Sequence, residues 1–293
     1  MTGNPNVYDL AAAQQFQFPA LTYRYGPREV ALYALGVGAG ADPLNAADLP
    51  FVYELHGAGF KVLPTFAVLF ATPVFFEVLN LPGVRLNPMM LVHGEQELTL
   101  FGALPTEAVV TSQPRLAGIY DKGSGMVLVI ESESVDGRGQ RLAVNRYLLF
   151  LRGLGGFGGD RGPAATPVAP PDRPPDAVVS QATRPDQALL YRLSGDTNPL
   201  HADPSLAALG GYPRPILHGL CTLGFAARAV LTEMADNDPA RVRGVRVRFS
   251  KHVFPGETLV TEMWRTADDT VVFQTRAVER GEVVLSSAVV TLG

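Results

Sequence analysis

Cysteine is nearly absent: Cys221 stands alone among 293 residues. An internal disulfide is therefore excluded, and a reducing compartment, the cytoplasm, is expected. A long hydrophobic run is also missing. The longest apolar stretch, 66–81, is interrupted by Pro73 and Glu77 and falls short of the roughly 18 to 20 residues that span a bilayer, so no membrane partner is expected. Basic residues are not in excess: 24 Lys and Arg face 28 Asp and Glu, for a net charge of −4. That balance argues against nucleic acid as a partner. Met1–Leu10 lacks a basic segment followed by an apolar run, so no secretory leader is read there. The closing Val-Thr-Leu-Gly carries no peroxisomal tripeptide. Histidines stand far apart at 56, 93, 201, 218 and 252; with one cysteine, no zinc set and no metal are expected.

What is abundant is hydrophobic residues, glycine and proline. The chain is 47% hydrophobic, enough for one large core or two smaller ones. Glycines at 153, 155, 156, 158 and 159 precede prolines at 163, 167, 170, 171, 174 and 175. Glycine loosens a chain and clustered prolines extend it. Residues 153–177 therefore read as a linker between an N-terminal domain, 1–152, and a C-terminal domain, 178–293. The glycines do not read as a nucleotide fingerprint, because that needs a helix directly afterwards and the prolines forbid one.

The two halves look like copies. Pro27–Leu35 aligns without gaps with Pro185–Leu193, and Leu104–Glu107 with Phe254–Glu257. Strand-like runs follow in both, at 127–132 and 142–151 in the first and at 244–250, 258–265, 270–277 and 283–292 in the second. In the second half Leu220, Leu223, Ala227, Leu231 and Met234 mark the apolar face of a helix expected over about 217–234. One helix with sequential strands suggests an antiparallel sheet wrapped around that helix, an α+β arrangement.

Between the short and long helices of the second half lies Ser-Gly-Asp-Thr-Asn-Pro-Leu-His, residues 194–201. Asp196, Asn198 and His201 fall within six positions, bracketed by Gly195 and Pro199. A carboxylate and an imidazole held together can share one water and move protons to and from it. Each residue alone has a plainer explanation: Asp and Asn favour turns, and a lone histidine is most often structural. The duplicate counts against that explanation for the set. Asp196 aligns with Gly38, Asn198 with Gly40 and His201 with Pro43; with Pro64 on Pro215, His218 meets Ala67 and Gly219 meets Val68. One reactive site per chain is expected.

Leu190–Pro204 resembles the signature of the MaoC-like, (R)-specific or type 2 enoyl-CoA hydratases; Pro215–Cys221 is similar to their second motif and Phe249–Leu259 to a third. Tyr23–Val37 and Val62–Phe66 resemble the N-terminal half of the two-domain members. The resemblance implies a double hot-dog fold, with antiparallel sheets each wrapped around a central helix, and reversible syn hydration of a trans-2-enoyl-CoA to a (3R)-3-hydroxyacyl-CoA. It also implies that Asp196 and His201 activate the water, that Asn198 supports them, and that the Gly219 backbone N–H holds the thioester oxyanion. No cofactor is implied, coenzyme A being part of the substrate. Further dimerisation, to a homodimer, is expected. His218 is left outside the catalytic set as a loop-orienting or packing residue. Coenzyme A carries phosphates, which makes Arg214, Arg246, Arg248 and Lys251 candidates for the mouth. Arg246 and Arg248 share a strand face by alternation. Phe66, with its neighbours Phe70, Phe75 and Phe76, is a candidate for accommodating an acyl chain. Two rivals are a hot-dog acyl-CoA thioesterase and a non-catalytic acyl-CoA-binding subunit.

Overall fold

The computed structural model describes residues 8–164 and 166–293. The first seven residues, part of the stretch read as lacking a leader, and position 165 of the expected linker lie outside them.

Ten antiparallel strands form one continuous sheet: β1 (Leu21–Tyr25), β2 (Leu91–Leu100), β3 (Ala108–Asp121), β4 (Gly125–Val135), β5 (Arg141–Arg152), β6 (Ala177–Ala182), β7 (Val242–Phe249), β8 (Thr258–Ala267), β9 (Thr270–Ala277) and β10 (Glu282–Leu292). Their order is β1-β3-β4-β5-β2-β7-β10-β9-β8-β6. Each half therefore has the internal order first-third-fourth-fifth-second. The halves meet where the second strand of each pairs with the other, from Glu95 opposite Arg248 to Thr99 opposite Gly244. This is a double hot-dog, and the shared order is the structural form of the sequence repeat.

The central helix of the second half is Gly219–Met234. It is buried on nearly every side, because the sheet covers one side and the first half covers the other. Gly224 is required by that second contact: a Cβ there would stand 2.3 Å from Cγ1 of Val37. The two halves share one hydrophobic cluster running from Tyr25 to Leu292.

The first half departs from the expected central helix. Its equivalent is a 3-10 segment, Pro64–Ala71, followed by a single α turn, Val74–Glu77, and another 3-10 turn, Val78–Asn80. Pro73 lacks an N–H, and its ring clashes with the carbonyl four residues back, so an α-helix cannot run through it. The Gly/Pro segment also differs from a loose tether. The carboxylate of Asp121, at the end of β3, accepts hydrogen bonds from the N–H groups of Gly123, Gly156 and Gly158, each at 2.8 Å. Positive φ at Gly123, Gly156 and Gly158 turns these donors toward one acceptor, a conformation that glycine adopts without strain. They hold the Asp121 carboxyl below its ordinary pKa, with Gly156 the largest contributor.

Candidate active site

The residues expected to react sit on a loop whose turns are set locally. Gly195, at φ 130°, ends the 3-10 turn 192–194. Asp196 Oδ1 then accepts the Asn198 N–H at 3.2 Å, an Asx turn. Asn198 Oδ1 accepts the Leu200 N–H at 3.1 Å and caps the turn Pro199–His201. Pro199 suits that first position because its missing N–H would have found no partner. The Asn198 side chain is exposed and committed to its own backbone; it shapes the loop and does not join the reactive pair.

Long-range contacts complete the site. His201 Nδ1 lies 2.9 Å from the Ile216 carbonyl. A carbonyl only accepts, so Nδ1 carries the proton in the neutral ring and Nε2 keeps a lone pair. Allowing one ligand atom from each residue, Asp196, His201 and His218 come within 4.8 Å of one another. Asp196 and His201 can therefore touch a common small molecule. His218, absent from the expected set, is 1% exposed. Its Nε2–H donates to the backbone carbonyl of Asp196 at 3.1 Å, and its ring centroid lies 3.8 Å from that of His201. Tyr191 backs it, with ring centroids 4.9 Å apart. His218 thus fixes the height of the aspartate loop against the start of the central helix. Its place before the glycine that opens that helix was the available signal, but its partner lies 22 residues away.

Burial pushes the His201 imidazole below its ordinary pKa, with the Asp196 charge opposing. Burial, and then His201, push His218 well below. Both rings are therefore neutral at pH 7, and His201 is available as a base.

Gly219 is the first residue of the central helix and His218 its cap. A first-turn N–H has no partner within its helix, and that of Gly219 makes no hydrogen bond among the described residues. The positive end of the helix dipole lies behind it. A side chain at 219 would press on Phe249, whose ring would be 3.1 Å from the new Cβ. Phe249 in turn packs on His93 of β2, ring centroids 4.8 Å apart, so the first half supports this corner.

The basic candidates separate into two groups. The Leu217 N–H donates to the Val253 carbonyl at 2.7 Å, which joins the segment before the helix to the 250–257 loop. Exposed Arg214 and Lys251 flank this junction, and the Arg214 guanidinium covers the Phe254 ring at 4.7 Å. Arg246 and Arg248 do share a face, but it is the outer one: Val245 and Val247 take the core side of β7. Arg248 is bound to Glu95 at 2.6 Å, and Arg246 lies opposite Glu97 in the strand register across the seam. Both lie on the face away from the core and Arg248 is neutralised there by Glu95, so they are removed from the mouth. Phe66 is fully buried, with the rings of Tyr23, Tyr25, Tyr33 and Phe70 at 4.8 to 6.0 Å. It is a core residue in this packing, with no free face for an acyl chain.

Comparison with known proteins agrees with this architecture. Residues 23–153 match the MFE-2 hydratase 2 N-terminal domain and residues 167–288 the MaoC-like domain. The probable enoyl-CoA hydratase 2 of Dictyostelium discoideum is 44% identical over 274 residues, covering 92% of this chain and 91% of its own. The peroxisomal enoyl-CoA hydratase 2 of Arabidopsis thaliana is 45% identical, covering 93% and 92%. The crystal structure of a MaoC-like dehydratase from Phytophthora capsici superposes with a TM-score of 0.85 at 33% identity, over 97% of this chain and 99% of that one. With its two hot-dog halves and a single Asp-His loop, the chain belongs to the MaoC-like enoyl-CoA hydratase 2 family and is an enzyme of the hydro-lyase class.

Proposed function

We propose that the chain catalyses reversible syn addition of water to a trans-2-enoyl-CoA, giving the (3R)-3-hydroxyacyl-CoA. The observation that carries this reading is the closeness of Asp196 and His201 to one another beside an unpartnered helix-start N–H at Gly219. One water is held by the Asp196 carboxylate and by Nε2 of His201. As its oxygen bonds to Cβ, one proton passes to the pair. The thioester oxygen gains charge, and the Gly219 N–H stabilises it; one such donor is typically worth about 3 to 4 kcal/mol. The pair then delivers a proton to Cα on the same face. The count closes with one water added and the enzyme unchanged. No cofactor takes part, and coenzyme A enters only as part of the substrate.

The nucleotide phosphates of coenzyme A rest against Arg214 and Lys251, which flank the loop that tops the helix. Asn198 acts by holding the loop. We place the enzyme in the cytoplasm as a homodimer. The plant relative is named as peroxisomal, so fractionation of the producing cell and analytical ultracentrifugation are the corresponding checks.

The assay that tests the reaction follows conjugated-enoyl absorbance and free thiol together, with crotonyl-CoA and longer enoyl-CoAs. Hydration removes the absorbance without releasing thiol, and chiral analysis gives the 3R alcohol. Thiol release from a saturated acyl-CoA would mean a thioesterase, and a 3S product would overturn the stereochemistry.

A further inference from the structure

The first half reaches the candidate site through His93, a residue the proposed hydration does not use. His93 lies on β2 where the pairing with β5 slips: His93 stands opposite Leu149 and Glu95 opposite Leu148, with Gly94 the extra residue between them. A bulge of this kind re-aims the neighbouring side chain. Gln96 and Leu98 take the buried side of β2, and strict alternation from them would put Gly94 inside and His93 outside. The bulge reverses that order. The His93 ring stands inside, its centroid 5.1 Å from that of Phe75, 5.8 Å from Tyr147 and 4.8 Å from Phe249. Its Nε2–H donates to the Glu95 carbonyl at 3.1 Å, which fixes the ring across the bulge.

Phe249 carries the contact on to the central helix. It ends β7 on the inner side, following Val245 and Val247, yet it stays partly exposed. Its ring lies against Gly219, where an added Cβ would stand 3.1 and 3.2 Å from two ring carbons. An N–H serves as an oxyanion donor only when it lies about 2.7–3.1 Å from the oxygen, so the ring that limits where the helix starts also sets the donor. We propose that His93 is a positioning residue for the Gly219 N–H, acting through Phe249 across the seam between the halves. Removing the His93 ring frees Phe249 to fall back and the helix start to follow it, and a displacement of about 1 Å at a positioned group can cost on the order of 10²-fold. The inference rests on the proposed hydration for the role of Gly219 and deepens it, because it gives the copy without reactive groups a share in the chemistry.

The test reads the donor directly, by infrared spectroscopy of the full-length chain saturated with butyryl-CoA whose thioester carbonyl is isotope-labelled. This saturated thioester takes up no water, and a donor on its oxygen weakens the C=O bond and lowers its stretching frequency. In the unsubstituted chain the band should move down on binding. In His93→Ala the shift should be largely lost and kcat with crotonyl-CoA should fall at least about tenfold, with KM changed by less than about threefold, the pattern of an interaction made in the transition state. His93→Phe keeps a ring behind Phe249 and should recover most of the shift and of kcat. Phe249→Leu breaks the same contact from β7, and adding His93→Ala to it should cost nothing further, because residues acting through one contact are not additive. An unmoved band in His93→Ala overturns the proposal whatever happens to kcat, as do losses that simply add in the double variant. Where His93→Ala does not fold, Phe249→Leu decides, and a full band shift in it overturns the proposal. An unsubstituted chain that shifts the band yet hydrates no enoyl-CoA refutes the reaction and leaves the contact standing; one that hydrates without a shift refutes the role of the contact.

Discussion

His201 is placed to act as a base by where its two nitrogens are. One donates to Ile216 and burial keeps the ring neutral. The pH dependence of kcat/KM follows from that direction. The neutral form is active and its pKa is lowered, so activity should persist below the ordinary histidine value of about 6.5 and fall as pH drops through the lowered pKa. A pH–rate profile with its acidic limb at or above 6.5 would contradict the geometry. This pair was legible in the sequence because Asp196 and His201 share one short loop whose turn residues, Gly195 and Pro199, announce a fixed backbone. His218 was legible only as a loop-orienting or packing residue, and its partner, a carbonyl 22 residues away, was not. Alternation correctly put Arg246 and Arg248 on one face but is silent about which face meets the core, and the buried valines between them decide that.

At the level of elements, the central helix was readable from its apolar spacing, and its observed bounds, Gly219–Met234, fall inside the expected span. Its counterpart in the first half was not, because a fully buried run looks the same in any conformation and Pro73 had to be weighed against it. Strand β3 was missed because its inward positions include small polar groups: Ser112 is buried and bonded to Ser134 at 2.7 Å and to the Phe70 carbonyl, which blurs the apolar alternation. The tightest element contact gives a stability prediction. Gly224→Ala drives a methyl into Val37, and overpacking of this kind typically costs about 1 to 3 kcal/mol. Urea unfolding should show the loss, and a second change, Val37→Ala, should restore part of it. An unchanged midpoint in Gly224→Ala would mean that the helix does not approach the first half so closely. Strand β2 carries a pH signature of its own. Burial lowers His93 to about 4, so the unfolded chain binds its proton first. Stability should decline as pH falls from about 6.5 toward 4, and His93→Gln should flatten that slope.

Across the whole molecule, the halves are joined by a continuous sheet and, among the described residues, by one buried ion pair. Arg228 of the central helix binds Asp48 of the first half at 3.0 Å, and both side chains are at most 10% exposed. The same guanidinium donates to the carbonyls of Val37 and Gly38. Gly38 is the position that aligns with Asp196, so the first copy's loop is occupied by structural bonds where the second copy carries the candidate site. Removing one partner of a buried pair strands the other charge and typically costs about 3 to 5 kcal/mol. Asp48→Ala should therefore lower the single unfolding transition of the whole chain. Loss confined to a separate transition of the first half would show that the halves fold independently.

The account as a whole stands on a carboxylate and an imidazole acting on one water. The most direct measurement is kcat for Asp196→Ala and His201→Ala with an enoyl-CoA, alongside the melting temperature of each. Proton transfer by a positioned group typically contributes about 10²- to 10⁴-fold, and a loss of that size at a nearly unchanged melting temperature is the predicted result. Turnover close to that of the unsubstituted chain in either variant would contradict it.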